Sequence, residues 1–257
     1  MKRLIIFAAV LWPRVLVAQQ PFNGNDAPTI ENGKWQFQFL NSGDLLGPSF
    51  RPLTQQGTSN FSLGYGLSDW MELGIAIPHI GLKEKKWRMG IGDLELNTKV
   101  KLIGPAPEHP GRPAISVASK LEFPTGNRRK GFGSGRYDWD NTLIVETQWL
   151  GFTHRWNAGI GLFGDTSTGV EGIRVRTTSA SYGYSVSRQV TPRLRWGGEI
   201  TGSAGTHVSF ADAEMEWMNG GNYQLSPRAA LDFGYSYGLK RANPAHGFII
   251  GFTITGK

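Results

Sequence analysis

Ile91-Gly92-Asp93-Leu94-Glu95-Leu96-Asn97-Thr98-Lys99-Val100-Lys101-Leu102 sets Leu94, Leu96, Val100 and Leu102 on one parity, with Asp93, Glu95, Asn97, Lys99 and Lys101 on the other. A strand advances about 3.3 Å per residue and turns successive side chains to opposite faces. The run therefore reads as a strand with one apolar and one heavily charged face. Ala114–Phe123 and Trp139–Trp149 repeat the pattern, separated by a glycine-rich loop from Pro124-Thr125-Gly126 to Gly131-Phe132-Gly133-Ser134-Gly135. A soluble sandwich also alternates, with its apolar face inside. A transmembrane barrel reverses the sense, turning the apolar face to lipid and the polar face to a wet lumen, and its segments are about ten residues long.

Composition narrows the choice. With no cysteine, disulfide frameworks, thiolate metal sites and cysteine nucleophiles are excluded. Hydrophobic residues make up only 39%, and no run of eighteen apolar residues follows the start, so helical membrane spans are excluded. The 35 glycines and 12% aromatics suit tight turns and interfacial rings. The +7 charge includes Lys2, Arg3 and Arg14 of the first segment. The remaining clusters, Arg128-Arg129-Lys130 and Lys83-Glu84-Lys85-Lys86, are loop tips without interleaved stacking aromatics, and no nucleic-acid partner is expected. Met1-Lys2-Arg3 followed by Leu4–Trp12 has the n- and h-regions of a secretory signal, with cleavage after Leu16-Val17-Ala18. The expected organisation is a signal peptide over 1–18, a flexible periplasmic lead-in over 19–32 with a lumenal plug as the alternative, and a barrel over 33–257.

Outward from the central stretch, Trp35/Phe37/Phe39, Phe61/Leu63/Tyr65/Leu67 and Met71/Leu73/Ile75/Ile77 predict three earlier strands. Later ones are predicted on Phe152–Leu162, 174–187, Leu194–Ile200, Met215–Leu225, Leu231–Leu239 and Phe248–Ile254. In the 174–187 run Val175 and Tyr182/Tyr184/Val186 fall on opposite parities, which a β-bulge would reconcile. The sum is about twelve strands. Their connections alternate: 42–57, 81–90, 124–137, 164–173 and 205–212 are long, whereas Ser68-Asp69, Leu150-Gly151, 188–192 and Ser226-Pro227 are tight, with 104–112 the exception. Short periplasmic turns, long external loops and an even strand count characterise outer-membrane barrels. The fold expected is an all-β, transmembrane, antiparallel up-and-down barrel in the bacterial outer membrane, in contact with its lipid. Trp149, Trp156 and Trp196 then fall at periplasmic strand ends and Trp139 and Trp217 at external ones, as aromatic girdles require, while Trp70 falls on the inward parity.

Gly90-Ile91-Gly92-Asp93-Leu94, Phe123-Pro124-Thr125-Gly126 and Gly131-Phe132-Gly133-Ser134-Gly135 with Asp138 resemble the MetA-pathway phenol-degradation family of outer-membrane proteins, and the alternating strands extend the likeness over most of 33–256. The resemblance implies a β-barrel transporter or channel for aromatic or other small organic compounds, inserted by the barrel assembly machinery. It supplies no site residues. The ending Phe252-Thr253-Ile254-Thr255-Gly256-Lys257 lacks the terminal aromatic that many such barrels carry.

The candidate functional surface is the inward parity: Glu72, Asp93, Glu95, Lys99, Lys101, Lys120, Glu122, Glu146, Arg155, Arg193, Arg195, Glu199 and Asp232. Charges facing hydrocarbon are costly, so these are expected to line a pore or to neutralise one another and fill it. Loop 124–137, with Arg128, Arg129 and Lys130, is the candidate constriction. The alternative class is a lipid-modifying hydrolase using outward His154 with Thr153, Ser179 or Ser181. A purely structural barrel is a third. No metal or cofactor is expected: His-x-x-x-His spacing is absent, and Gly131–Gly135 lacks the Lys-Ser/Thr ending of a phosphate loop.

Overall fold

The computed structural model describes residues 22–106, 108–109, 111–163, 178–205 and 213–257. Strands are β1 (Trp35–Leu45), β2 (Gln55–Ser68), β3 (Met71–Lys83), β4 (Trp87–Ile91), β5 (Leu94–Ile103), β6 (Ala114–Phe123), β7 (Asp138–Trp149), β8 (Phe152–Phe163), β9 (Thr178–Gln189), β10 (Leu194–Gly205), β11 (Glu214–Ser226), β12 (Ala229–Gly238) and β13 (His246–Gly256). Neighbours pair antiparallel all the way round, and β1 closes the ring on β13. β4 and β5 are two halves of one stave. β4 pairs with the outer part of β3 and β5 with its inner part, interrupted at Gly92-Asp93. The result is a closed 12-stranded barrel without a free edge around its body.

The side-chain period does what it predicts. Leu63, Tyr65, Leu73, Ile75, Leu143, Ile160, Ile200 and Ile250 all face outward and are exposed, which in water would be an untenable apolar belt. A closed antiparallel ring with such an exterior and a charged interior is a membrane-spanning barrel. The rings of Trp139, Trp149, Trp156, Trp196 and Trp217 are on this outer surface. Trp70 departs from its expected inward parity. It occupies the β2–β3 turn, where alternation ends, and is 56% exposed. β9 pairs with β8 and β10 without a register shift, so Tyr182 and Tyr184 face out with no bulge. Val175, the leader 1–18, loop 164–173 and most of loop 205–212 lie outside the described residues.

At the tight-turn end, Leu150 (φ 52°) and Gly151 (φ 78°) make the two-residue reversal between β7 and β8. Positive φ at both central positions matches the strand twist. At the other end the expected loop 81–90 is mostly strand. β3 and β4 continue as a hairpin whose tip is Glu84-Lys85-Lys86. Its inner face carries Ile80 and Leu82, which pack with Leu53 and Phe132 into a small apolar core. Phe132 reaches that core because Asp93 staples its loop. The Asp93 carboxylate accepts from Gly126 N–H at 2.8 Å and Ser134 N–H at 2.7 Å, while Thr125 Oγ1 accepts from Leu94 N–H at 2.9 Å. A Cβ at Gly133 would overlap that carboxylate. The Gly-Asp-Leu, Pro-Thr-Gly and Gly-Phe-Gly-Ser-Gly elements thus form one structural unit.

Candidate functional site: the lumen

The site is the bore, and the chain ahead of β1 crosses it. At the tight-turn rim Asn32 bridges Gly66, and Gly33 N–H donates to Gly66 O at 2.9 Å. A Cβ at Gly66 would overlap the Glu31 carbonyl, so a glycine is needed for this approach. Ile30 N–H then donates to Glu72 Oε2 at 2.6 Å. Ala27, fully buried, packs among Ala114 and Ile144, and its carbonyl accepts from Ser116 Oγ at 2.5 Å.

Beyond Ala27 the residues from Asp26 back to Asn23 each find a charged or amide partner on the wall. Asp26 Oδ1 accepts from Lys99 Nζ at 2.9 Å, and the same ammonium lies 3.4 Å from Glu72 Oε1. Asn25 and Asn157 form a reciprocal pair: Asn25 N–H donates to Oδ1 at 3.0 Å, and Asn157 Nδ2 donates to Asn25 O at 3.2 Å. Glu199 clasps two successive amides, accepting from Asn23 N–H at 2.7 Å and Gly24 N–H at 3.0 Å. A Cβ on Gly24 would sit 2.6 Å from Glu199 Oε1. Asn23 Nδ2 also donates to Glu216 Oε1 at 3.0 Å. Residues 22–32, the described part of the 19–32 stretch read from the sequence as a lead-in or a plug, therefore run through the lumen to the far wall.

The remaining inward charges divide into three groups. Arg155, 2% exposed, donates through Nε (2.9 Å) and Nη2 (2.8 Å) to Glu146 Oε2 on the neighbouring strand. Buried Ser185 stands between Arg155 and Glu199 in the strand register and leaves room for both. Toward the long-loop end, Lys120 pairs with Glu122 and lies 3.5 Å from Asp140 Oδ2, with Glu95 directly opposite Glu122. Near the tight-turn end Asp232, fully buried, accepts from Asn222 Nδ2 at 2.7 Å and Thr253 Oγ1 at 3.3 Å. Arg195 and Lys101 are half-buried.

Five residues singled out in the sequence have other places. Asp93 holds its loop, Arg193 occupies the exposed β9–β10 turn, and Arg128, Arg129 and Lys130 form an exposed 3-10 turn while Phe132 is the loop residue that goes inward. Asp26, Ser116, Asn157 and Glu216 were missed. Parity alone would have found Glu216, Asn157 and Ser116. Asp26 has no periodic signal, and its partners are far away in sequence. His154 lies outside the bore, its Nδ1 2.8 Å from the Tyr184 hydroxyl and its ring near Trp149, Phe152 and Trp156, a girdle cluster with no serine in the pairing. No cluster of metal-ligating side chains occurs among the described residues.

Residues 23–25 separate two chambers. One, of about 540 Å³, has Gln36, Gln38, Asn60 and Ser62 on one side and Asn97 with the Lys120 group on the other. The second, of about 360 Å³, is bounded by Asn157, Ser181, Thr201, Glu214 and Glu216.

Comparison with solved structures supports the architecture. An outer membrane channel from Pseudomonas putida F1 superposes with a TM-score of 0.72, covering 91% of this chain and 100% of that chain at 12% identity. The NanC porin gives 0.57, with 86% and 98% coverage at 9% identity. No curated protein sequence matches the chain significantly. A barrel of this form is a protein of the bacterial outer membrane. The family model described as "Putative MetA-pathway of phenol degradation" matches residues 42–255, from within β1 to near the end of β13, and the chain belongs to that family.

Proposed function

We propose that the chain is a passive channel through which small organic solutes, aromatic ones among them, cross the outer membrane by way of the charged lumen, after insertion by the barrel assembly machinery. The observation that carries this reading is the unfilled bore. A barrel of about eight strands is packed by its own side chains and one of sixteen holds open water; this one retains about 540 Å³ beside the segment that crosses it. Sites for small organic molecules commonly occupy about 300–1,000 Å³. The family's description supplies the aromatic class, and the P. putida F1 protein's description as a channel supports the transport role.

Single-channel recording of the refolded mature chain tests it. Discrete conductance steps are expected. Lys120→Glu makes the Glu95/Glu122/Asp140 group wholly acidic and should move the reversal potential toward cation preference. No conductance from a heat-modifiable, folded barrel rejects the passive channel. Steps with unchanged selectivity reject the charged path while leaving a channel.

A further inference from the structure

The outer face of the β3–β4 hairpin is built differently from the rest of the belt. Ile91, Met89 and Trp87 form an outward column, exposed by 63%, 64% and 46%. The Trp87 ring lies over Gly81, where a Cβ would come within 3.3 Å of it. Lys83 Nζ stands 5.8 Å from the ring centroid and donates to Gln55 Oε1 at 3.0 Å. Lys85 and Lys86, both exposed, occupy the tip. The carboxylate at the hairpin tip, Glu84, is taken by Arg88 at 2.7 Å. Read from the membrane outward, the order is aliphatic, indole, ammonium, and it stands at the long-loop end, which faces outside in barrels of this kind.

We propose that this face binds the phosphorylated glycolipid of the outer leaflet. Acyl chains would lie against Ile91 and Met89, the amphipathic Trp87 would sit at the headgroup boundary, and phosphates would meet Lys83, Lys85 and Lys86. Charge complementarity selects this occupant. An aliphatic column facing lipid needs no cations of its own, and three lysines without an acidic partner among the described residues fit a polyanionic headgroup. The proposal rests on the outer-membrane orientation and is independent of what the lumen conducts.

Binding of purified diphosphoryl lipid A, and of the same lipid with its phosphates removed, would be titrated against the whole refolded chain by native mass spectrometry without divalent cations. The diphosphoryl form should bind at least about tenfold more tightly, since each lysine near an anionic lipid surface contributes about fivefold. Lys83→Gln/Lys85→Gln/Lys86→Gln should erase most of that difference, while Arg112→Gln/Arg228→Gln, exposed at the opposite end, should leave it intact. On the unaltered protein, raising salt should weaken the diphosphoryl form selectively. Equal binding of the two lipids, an unaffected triple variant, or inorganic phosphate displacing the lipid outright would overturn the proposal. Conductance recorded on the same preparations keeps the channel reading separate: loss of current with lipid binding intact counts against the channel alone.

Discussion

Two walls of the same lumen contrast sharply. The inner face of β5 and β7–β10 carries buried Lys99, Arg155 and Glu199 and partly buried Glu146, each engaged by a partner on the wall or on the crossing segment. The inner face of β1 and β2 carries Gln36, Gln38, Asn60 and Ser62, neutral groups beside the larger chamber. Full charges taken from water need partners, and the segment from Phe22 to Ala27 supplies several of them, so the charged wall is where the bore is occupied. Amides and hydroxyls require less, and the space beside them stays open. Occlusion is thus assigned to the charged wall and open space to the neutral one.

The most severe way to break that contrast is to remove residues 19–27. With the crossing segment gone, the chambers of about 540 and 360 Å³ become one, and conductance should rise several-fold. An unaltered conductance would mean that the segment leaves the bore in a bilayer. Next in size is Arg155→Ala. It leaves Glu146, only 13% exposed, without its partner, and breaking a buried pair typically costs about 3–5 kcal/mol. Gln38→Ala on the neutral wall should stay within about 0.5 kcal/mol, the ordinary range for sites outside such networks. Urea unfolding of both variants in the same lipid compares the walls directly, and equal losses would erase the distinction.

Lys99 and Lys101 sharpen it further, because they share a strand and a parity. Lys99 is tied to Asp26 and Glu72, whereas Lys101 is half-buried near the end of β5. Lys99→Gln should loosen the segment, raising conductance toward that of the deletion and lowering stability by about 3 kcal/mol. Lys101→Gln should change conductance by less than about a third of that rise, because no segment contact is lost. If Lys101→Gln opens the bore as much as Lys99→Gln, the Asp26 pair is not what holds the segment.

The same pair shows how much was legible in the sequence. Period-2 alternation reports which face of a strand a residue occupies, and it placed the staves, the lipid-facing belt and most inward charges. It says nothing of partners across the bore. The segment ahead of β1 has no period, and its contacts with side chains of the wall reach across 42 residues, as with Ile30 to Glu72, to 193, as with Asn23 to Glu216. Parity also assumes an unbroken strand. It fails at Trp70, in a turn, and at Asp93, where β4 gives way to β5.

Asp93 and Glu95 therefore make the smallest and most discriminating test, since parity alone treats them as equivalent. Asp93 accepts from two loop amides and is 6% exposed, whereas Glu95 borders the larger chamber. Asp93→Ala leaves two loop N–H groups without their acceptor and should cost about 1–3 kcal/mol, with Phe132 released from Ile80 and Leu82. Ion preference should hardly move, because the lost charge faces the loop and not the path. Glu95→Gln should do the reverse, keeping the unfolding midpoint while weakening cation preference, because one carboxylate leaves the group around Lys120. A selectivity change in Asp93→Ala equal to that in Glu95→Gln would return Asp93 to the pore and make the loop a part of the conduit.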